Sequence, residues 1–391
     1  ILGEDKTAKS AFLKQLNFQL TGAQTRVADE INRDIESTVP MLRLVQGDVG
    51  SGKTVVAALA ALQAIANGKQ VALMAPTEIL ADQHRQNFEQ WFKPLDIRVT
   101  WLTGKIKGKA RALKLSEIAD GKAQMVIGTH ALFQETVEFN DLGLSIIDEQ
   151  HRFGVHQRLA LRQKGFVPNS FLQTSGCAPH QLIMTATPIP RTLAMSAYAD
   201  LDCSVIDELP PGRKPIDTLV LSNLRRNDVI ERVRASCVNG RQAYWVCTLI
   251  EESDVLEAQA AEVTASELQL LLPELSIGLI HGRLKPREKI EIMEAFKQGN
   301  INLLVATTVI EVGVDVPNAS LMIIENSERL GLSQLHQLRG RVGRGTEASH
   351  CVLLYSPPLS GNGNARLKIM RETTDGFKLS LIHISEPTRR R

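Results

Sequence analysis

The residues with the clearest chemical signature form a glycine-rich loop that ends in a lysine and a threonine. The loop fits the phosphate-binding pattern G-x-x-x-x-G-K-[ST] and comprises Gly47, Asp48, Val49, Gly50, Ser51, Gly52, Lys53 and Thr54. Glycines let backbone N–H groups approach phosphate oxygens, and the helix that follows presents its positive end to the same anion. In such loops the lysine contacts the β- and γ-phosphates and the hydroxyl binds Mg²⁺. The alternative, a glycine-rich turn with an incidental lysine, is disfavoured by the strand-like and helix-like runs on either side.

Two acidic residues follow an apolar run further along the chain. Asp148 and Glu149 come directly after residues 144–147, and parallel sheets bind ligands where their strands end. Asp148 is therefore placed to hold Mg²⁺, and Glu149 to orient or deprotonate the attacking water. His151 is a candidate for sensing the nucleotide or for relaying its state to the other lobe, with a purely structural role as its alternative. For the acid pair the alternative is a polar strand end that faces solvent.

Three closely spaced arginines form the third chemical feature. Arg339, Arg341 and Arg344 lie in a glycine-containing segment near the end of the chain. Phosphoryl transfer builds charge on the γ-phosphoryl oxygens, and an arginine delivered to them contributes about 10³–10⁵ in rate. We expect Arg344 to act as this arginine finger, with Arg341 sharing the role. A surface patch for any polyanion is the alternative.

Short apolar runs alternate with helix-like stretches along most of the chain, which predicts parallel sheets covered by helices. The runs predicted as strands are residues 41–45, 70–75, 125–127, 144–147, 181–184, 218–221, 243–247, 277–280, 302–306, 321–324 and 351–355. Residues 53–67, 79–91 and 286–298 are predicted helices. The pattern restarts after a Pro/Gly-rich break at 210–215, so 391 residues divide into two α/β lobes.

Composition narrows the functional classes further. Lys and Arg number 45 against 43 for Asp and Glu, so contacts with nucleic acid must come from local patches. The sequence contains no apolar run of membrane-spanning length and no secretory signal pattern, which predicts a cytoplasmic protein without membrane contact. The five cysteines form no Cys-x-x-Cys pair and are expected to be reduced structural thiols.

The last residues differ from the rest. The peptide 379–391 resembles the in-frame translation of a transposon-based sequencing adapter. We expect these residues not to be native and the natural chain to continue where they begin. A short strand with a basic end is the alternative. Because the chain begins without Met, we also expect the natural start to lie upstream of Ile1.

Several further segments combine with these features into an ordered set that resembles superfamily 2 helicases and translocases. They are residues 18, 20–24, 75–78, 103–104, 128–130, 148–151, 185–188, 280–282, 306–315 and 337–345. The amino-acid sequences of segments 148–155, 184–191 and 208–213 are similar to those of the RecG family of bacterial ATP-dependent branched-DNA translocases. The resemblance implies an α/β protein with two tandem RecA-like P-loop lobes, each a mostly parallel sheet covered by helices, over residues 1–212 and 213–378.

The resemblance also implies roles for individual residues. Gln24 would recognise adenine, and Thr185 and Thr187 would link ATP hydrolysis to DNA contacts. The residues of the second lobe that would line or close on the nucleotide are Gly313, Asp315, Gln337, Arg341 and Arg344. The implied cofactors are ATP and Mg²⁺.

Other motif residues are predicted to contact DNA because they follow strands on the ligand side. They are Pro76, Thr77, Thr103, Gly104, Lys105, Gly128, Thr129, His130, His281, Gly282, Thr307 and Thr308. Lys105 opens the basic stretch 105–111, for which a solvated helix start is the alternative. Hydroxyls and backbone amides there can hold phosphates without reading bases. Aromatic residues make up only 4% of the chain and do not interleave with basic ones, which disfavours base stacking. We expect backbone contacts with double-stranded and branched DNA, made by a monomer at the bacterial nucleoid.

In the intact family, a wedge domain precedes the motor, and a segment that couples hydrolysis to duplex movement follows it. The resemblance therefore predicts a motor core that regresses stalled forks and migrates Holliday junctions in recombination and repair, and this truncated chain is expected to be impaired. Three alternatives stay open: a transcription-repair coupling motor, a nucleotide-gated DNA scaffold without turnover, and an RNA unwinder.

Overall fold

The computed structural model describes residues 3, 6–149, 178–186, 201–210, 213–248, 254–308, 316–343, 345, 348–374 and 379 of the chain. It divides into two compact units, Ile1–Pro210 and Pro211–Arg391. The boundary that we predicted after residue 212 lies two residues further along. Each unit is an α/β layer structure built on its own sheet.

The first unit contains a seven-stranded sheet whose paired strands all run parallel, in the order β3-β4-β2-β5-β6-β1-β7. Its strands are β1 (Leu42–Gly47), β2 (Gln70–Met74), β3 (Val99–Leu102), β4 (Met125–Gly128), β5 (Leu142–Asp148), β6 (His180–Thr185) and β7 (Asp202–Ile206). Its α-helices are α1 (Lys6–Gln15), α2 (Gly22–Ile35), α3 (Lys53–Ala66), α4 (Glu78–Phe92) and α5 (Gly108–Ala119). Short 3-10 helices cover Lys93–Leu95 and His130–Phe133.

Strand β2 shows why this sheet is covered on both faces. All five of its residues are buried. Val71 and Leu73 join one hydrophobic cluster, and Ala72 and Met74 join another, because successive side chains point to opposite faces. This burial explains the continuous apolar runs in the sequence.

The second unit has a six-stranded parallel sheet in the order β10-β11-β9-β12-β13-β8. Its strands are β8 (Ile216–Ser222), β9 (Gln242–Val246), β10 (Ile277–Ile280), β11 (Leu303–Ala306), β12 (Ala319–Ile324) and β13 (Ser349–Tyr355). Its α-helices are α6 (Arg226–Val238), α7 (Asp254–Leu271), α8 (Pro286–Lys297), α9 (Leu332–Arg339) and α10 (Gly361–Glu372). Short 3-10 helices cover Asn223–Arg225 and Ser327–Arg329.

Central strand β9 of this unit repeats the two-faced burial. Tyr244 and Val246 pack into one cluster, and Ala243 and Trp245 pack into the other. Leu379, the first residue of the suspected adapter peptide, is buried in the first of these clusters, and residues 380–391 lie outside the described part. That the peptide 379–391 is not native remains a prediction.

The structure confirms the α/β class with two parallel sheets. Each apolar run predicted as a strand overlaps an observed strand, and the three predicted helices correspond to α3, α4 and α8. Strands β3 and β7 were not predicted. Both are edge strands, and their partly exposed residues interrupt the apolar run that marks a central strand.

Candidate functional site

The predicted phosphate loop connects β1 to α3 at the carboxyl edge of the first sheet. Gly50 and Gly52 have φ values of 78° and 88°, which side chains other than glycine rarely adopt. The Nζ of Lys53 donates to the carbonyl oxygens of Gly47 at 2.6 Å and Asp48 at 3.0 Å. The lysine charge is thus held against the backbone of the loop.

The loop has the properties that a phosphate group requires. Helix α3 starts at Lys53 with no side-chain cap and no acidic residue in its first turn, so its positive end is available to an anion. The hydroxyl of Ser51 is buried and has no hydrogen-bond partner in the described part of the chain. A Cβ added at Gly47 would lie 2.5 Å from that hydroxyl, so the spacing requires glycine. These residues fit the phosphates of a nucleotide.

Gln24 supports this loop from helix α2. Thr21 and Gln24 form a capping box, in which the Thr21 N–H donates to Gln24 Oε1 at 2.9 Å. The other end of the amide, Nε2, donates to the carbonyl oxygen of Ser51 at 2.8 Å. The side chain is buried, and a Cβ at Gly52 would collide with it. In this structure Gln24 braces the loop, and its contact with adenine stays a prediction.

Asp148 ends strand β5 at the same edge of the sheet and accepts a hydrogen bond from His84. The Nε2 of His84, on helix α4, lies 2.8 Å from Asp148 Oδ2. Burial would by itself raise the pKa of Asp148, but the hydrogen bond from His84 and the positive charge of Lys53 outweigh it and lower the pKa. An ionised carboxylate within reach of the Lys53 charge is suited to a divalent cation.

Sequence reasoning missed His84. The sequence does indicate that His84 is buried, because Ala81, His84, Phe88 and Phe92 share the helical spacing of one buried face. A histidine on an apolar face has no distinctive partner in the sequence, however. Only the packing of α4 reveals that it meets Asp148.

Glu149 adopts a strained backbone conformation directly after Asp148. Its φ is 50°, and its N–H donates to the carbonyl oxygen of Met184 at 2.9 Å. The carboxylate accepts from the Ala186 N–H at 3.2 Å and from the Thr185 hydroxyl at 3.4 Å. A non-glycine residue with positive φ costs about 1–3 kcal/mol and persists where its surroundings over-determine it. The end of β6 therefore fixes the orientation of this acid.

The predicted DNA contacts of the first unit lie at or just after the ends of strands β2, β3 and β4. Gly104, Lys105 and His130 are exposed, whereas the side chains of Thr103 and Thr129 are buried. Thr77 caps α4, since its hydroxyl accepts from the Leu80 N–H at 3.3 Å, and Pro76 is half-buried beside it.

Lys105 and Gly128 also make contacts within the fold. Lys105 forms an ion pair with Glu78, at the start of α4. Gly128 lies inside β4, where a Cβ would collide with the carbonyl oxygen of Leu102. Its lack of a side chain is thus explained by the close approach of β3.

In the second unit, His281 and Gly282 follow β10, and Thr307 and Thr308 follow β11. His281 is buried with Nε2 3.5 Å from Glu262 Oε1, and Gly282 is exposed. The buried hydroxyl of Thr307 has no partner among the described residues. Thr308 is half-buried.

The arginine segment begins on α9. Gln337 is buried there, and Arg341 is partly exposed just after the helix. Arg339 is buried and donates to the carbonyl oxygens of Met370 at 2.9 Å and Thr373 at 2.8 Å, so it joins α9 to the end of α10. The remaining predicted residues lie outside the described part of the chain: His151, Thr187, Gly313, Asp315 and Arg344.

None of the described helices is long and apolar enough to cross a membrane. Nor does the described part contain a group of three or more His, Cys, Asp or Glu side chains suited to a metal ion.

Family models match both units. The DEAD/DEAH box helicase model covers residues 21–196, and the helicase conserved C-terminal domain model covers residues 226–346. Together they cover strands β1–β6 of the first sheet and β9–β12 of the second, with the phosphate loop and Asp148 inside the first match.

Several RecG proteins are similar in sequence to this chain over most of its length. The ATP-dependent DNA helicase RecG of Escherichia coli (strain K12) is 67% identical over 380 residues, which is 97% of this chain and 54% of the relative. RecG of Bacillus subtilis (strain 168) is 49% identical over 370 residues, 94% of this chain and 52% of the relative. A solved structure of RecG bound to a three-way DNA junction matches 99% of this chain and 50% of its own, with 41% identity and a TM-score of 0.81. The chain therefore spans about half the length of these relatives.

Proposed function

Since this chain belongs to the RecG family, we propose that it is the motor core of an ATP-dependent DNA helicase that acts on branched DNA. The observation that carries the proposal is that the Gly47–Thr54 loop and Asp148, whose carboxylate lies 2.8 Å from His84 Nε2, follow strands β1 and β5 at the same edge of the first sheet. In the whole protein the motor would regress stalled forks and migrate Holliday junctions in recombination and repair.

ATP hydrolysis would divide among side chains with distinct tasks. The backbone N–H groups of the loop and Lys53 would hold the β- and γ-phosphates, and Glu149 would orient and deprotonate the attacking water. Mg²⁺, bound by Thr54 and Asp148, would supply neutralising charge. The residues proposed to complete nucleotide binding are Gln24, which would contact adenine, and Gly313, Asp315 and Gln337. Arg341 and Arg344 would stabilise charge that develops on the γ-phosphoryl group.

The bonds that hold Glu149 suggest how hydrolysis would be coupled to DNA. Thr185 and Ala186 contact both carboxylate oxygens of Glu149. A shift of this segment would therefore reorient the acid that activates water. We propose coupling roles for Thr185, for neighbouring Thr187 and for His151.

DNA contacts would be made mainly to the phosphate backbone. The side chains of Thr103, Thr129 and Thr307 are buried, and the Thr307 N–H already donates to the carbonyl oxygen of Ile280 at 3.1 Å, so exposed neighbours such as Gly104 and His130 would make the contacts. Such binding would be insensitive to base sequence and sensitive to salt. A monomer at the nucleoid in the bacterial cytoplasm is the proposed setting.

The choice of nucleic acid is testable by phosphate release. We expect duplex and three-way-junction DNA to stimulate ATP hydrolysis by this chain, and RNA of the same sequence to stimulate it less. A clear preference for RNA would contradict the proposal and support an RNA unwinder. The RecG relatives do not favour a transcription-repair coupling motor or a scaffold without turnover.

A further inference from the structure

The buried face of helix α4 carries one polar side chain in an otherwise apolar row. Its buried residues are Ala81, His84, Phe88 and Phe92. Phe88 and Phe92 pack edge to face, with ring centroids 5.2 Å apart, and both belong to the main core of the first unit. The packing that fixes α4 therefore also fixes where the imidazole of His84 lies.

The imidazole is aimed at the proposed metal ligand. Its Nε2 lies 2.8 Å from Asp148 Oδ2, and the side chains of His84 and Asp148 are only 7% and 13% exposed. An imidazole N–H at Nε2 can donate this bond to the carboxylate oxygen. The bond holds one carboxylate oxygen and so fixes the rotation of the group.

A histidine that served only the core would be expected to satisfy both ring nitrogens. The Nδ1 of His84 is buried and has no hydrogen-bond partner among the described residues. A buried polar atom without a partner costs about 1–3 kcal/mol, a cost that an apolar side chain at this position would avoid. The bond to Asp148 is the one contact that such a replacement could not supply.

Helix α4 also joins this histidine to a predicted DNA contact. Thr77 caps the helix, and His84 follows about two turns later on the same rigid element. Arg85 braces the turns between them and beyond through ion pairs with Asp82 at 2.7 Å and Glu89 at 2.8 Å. A displacement of Pro76 or Thr77 would thus be carried to the imidazole.

We infer that His84 is a positioning residue, which orients Asp148 toward the metal–nucleotide complex and transmits DNA contact at Pro76–Thr77 to that carboxylate through α4. The inference rests on the proposed function for its DNA part. Residues that orient a metal ligand typically change metal affinity by about 10–100-fold when they are replaced.

The test compares four variants of the chain. His84→Leu fills the space without a donor, His84→Gln keeps a donor near the Nε2 position, and His84→Asn is too short to reach Asp148. Gln90→Leu, on the exposed side of the same helix, is the matched control. Mn²⁺ affinity is measured by electron paramagnetic resonance with a non-hydrolysable ATP analogue, and ATPase stimulation by duplex DNA is measured alongside.

We expect His84→Leu and His84→Asn to bind Mn²⁺ about 10–100-fold more weakly and to lose most of the DNA stimulation. His84→Gln and Gln90→Leu should stay close to wild type on both measures. If His84→Leu fails to fold, the comparison of Gln with Asn decides, because these two differ only in reach.

Wild-type Mn²⁺ affinity in His84→Leu, or in His84→Asn if the Leu variant does not fold, would overturn the inference while leaving the proposed function intact. Weakened Mn²⁺ binding with undiminished DNA stimulation would overturn the link through α4. If DNA does not stimulate ATP hydrolysis by the wild-type chain, both the proposed function and the link through α4 are wrong. The Mn²⁺ affinities of the variants would still test the positioning role of His84.

Discussion

Replacing Gln24 with glutamate should remove the hydrogen bond from its side chain to the phosphate loop and keep the hydrogen bond that its side chain accepts from Thr21. The wild-type Oε1 accepts from the Thr21 N–H, and a carboxylate oxygen can do the same. Wild-type Nε2 donates to the carbonyl oxygen of Ser51 at 2.8 Å, and a carboxylate cannot donate there. The substitution therefore preserves the cap of helix α2 and removes the brace on the loop.

The size of the effect follows from the burial of this bond. Gln24 is 2% exposed, so water does not replace the missing donor. A typical hydrogen bond contributes about 1 kcal/mol, and a buried acceptor left without a donor adds about 1–3 kcal/mol. If about 2 kcal/mol of this cost falls on the loop geometry that binds phosphate, the affinity for nucleotide should fall about 30-fold.

The assay is titration with a fluorescent ATP analogue, paired with thermal unfolding without nucleotide. We expect weaker binding and a lower unfolding temperature, whereas Gln19→Glu, an exposed control with the same charge change, should alter neither. Wild-type affinity in Gln24→Glu would refute the bracing role. The ratio of ATP to GTP affinity separately tests adenine recognition, because loss of the brace alone weakens both nucleotides equally.

Other predictions concern catalysis, salt and thiol chemistry. Glu149→Gln should lower the rate of phosphate release by about 10²–10⁴ with nucleotide binding retained, and an unchanged rate would exclude Glu149 as the base. The DNA affinity of the chain should fall linearly with salt on a log–log plot and stay independent of base sequence; a salt-independent affinity would contradict backbone contacts. Burial raises the pKa of the thiols of Cys237, Cys247 and Cys351 to about 12, so a thiol reagent at pH 8 should modify them only after denaturation, and rapid labelling of the native protein would contradict their burial.

The fold could be predicted wherever burial is continuous. Central strands such as β2 and β9 are buried on both faces and leave uninterrupted apolar runs in the sequence. Edge strand β3 alternates partly exposed and buried residues over only four positions, which is too short a signal to separate from a loop. Every central strand was therefore predictable, whereas of the four edge strands β8 and β10 were predicted and β3 and β7 were missed.

In the site, features that lie within one sequence segment could be predicted, whereas contacts between distant segments could not. The phosphate loop Gly47–Thr54 can be recognised from sequence because all its functional groups lie in one short, contiguous segment. The contact of His84 with Asp148 joins α4 to β5 through tertiary packing, and no local spacing encodes it. The same holds for Gln24, whose bond to Ser51 depends on how α2 packs beside the loop. Sequence spacing likewise could not indicate that the Thr129 hydroxyl is buried.

The most direct test of the account is phosphate release by the wild-type chain and by Lys53→Ala, each with and without duplex DNA. We expect hydrolysis that DNA accelerates in the wild type and near-background rates in Lys53→Ala under both conditions. Equal rates for the two proteins in the presence of DNA would contradict it.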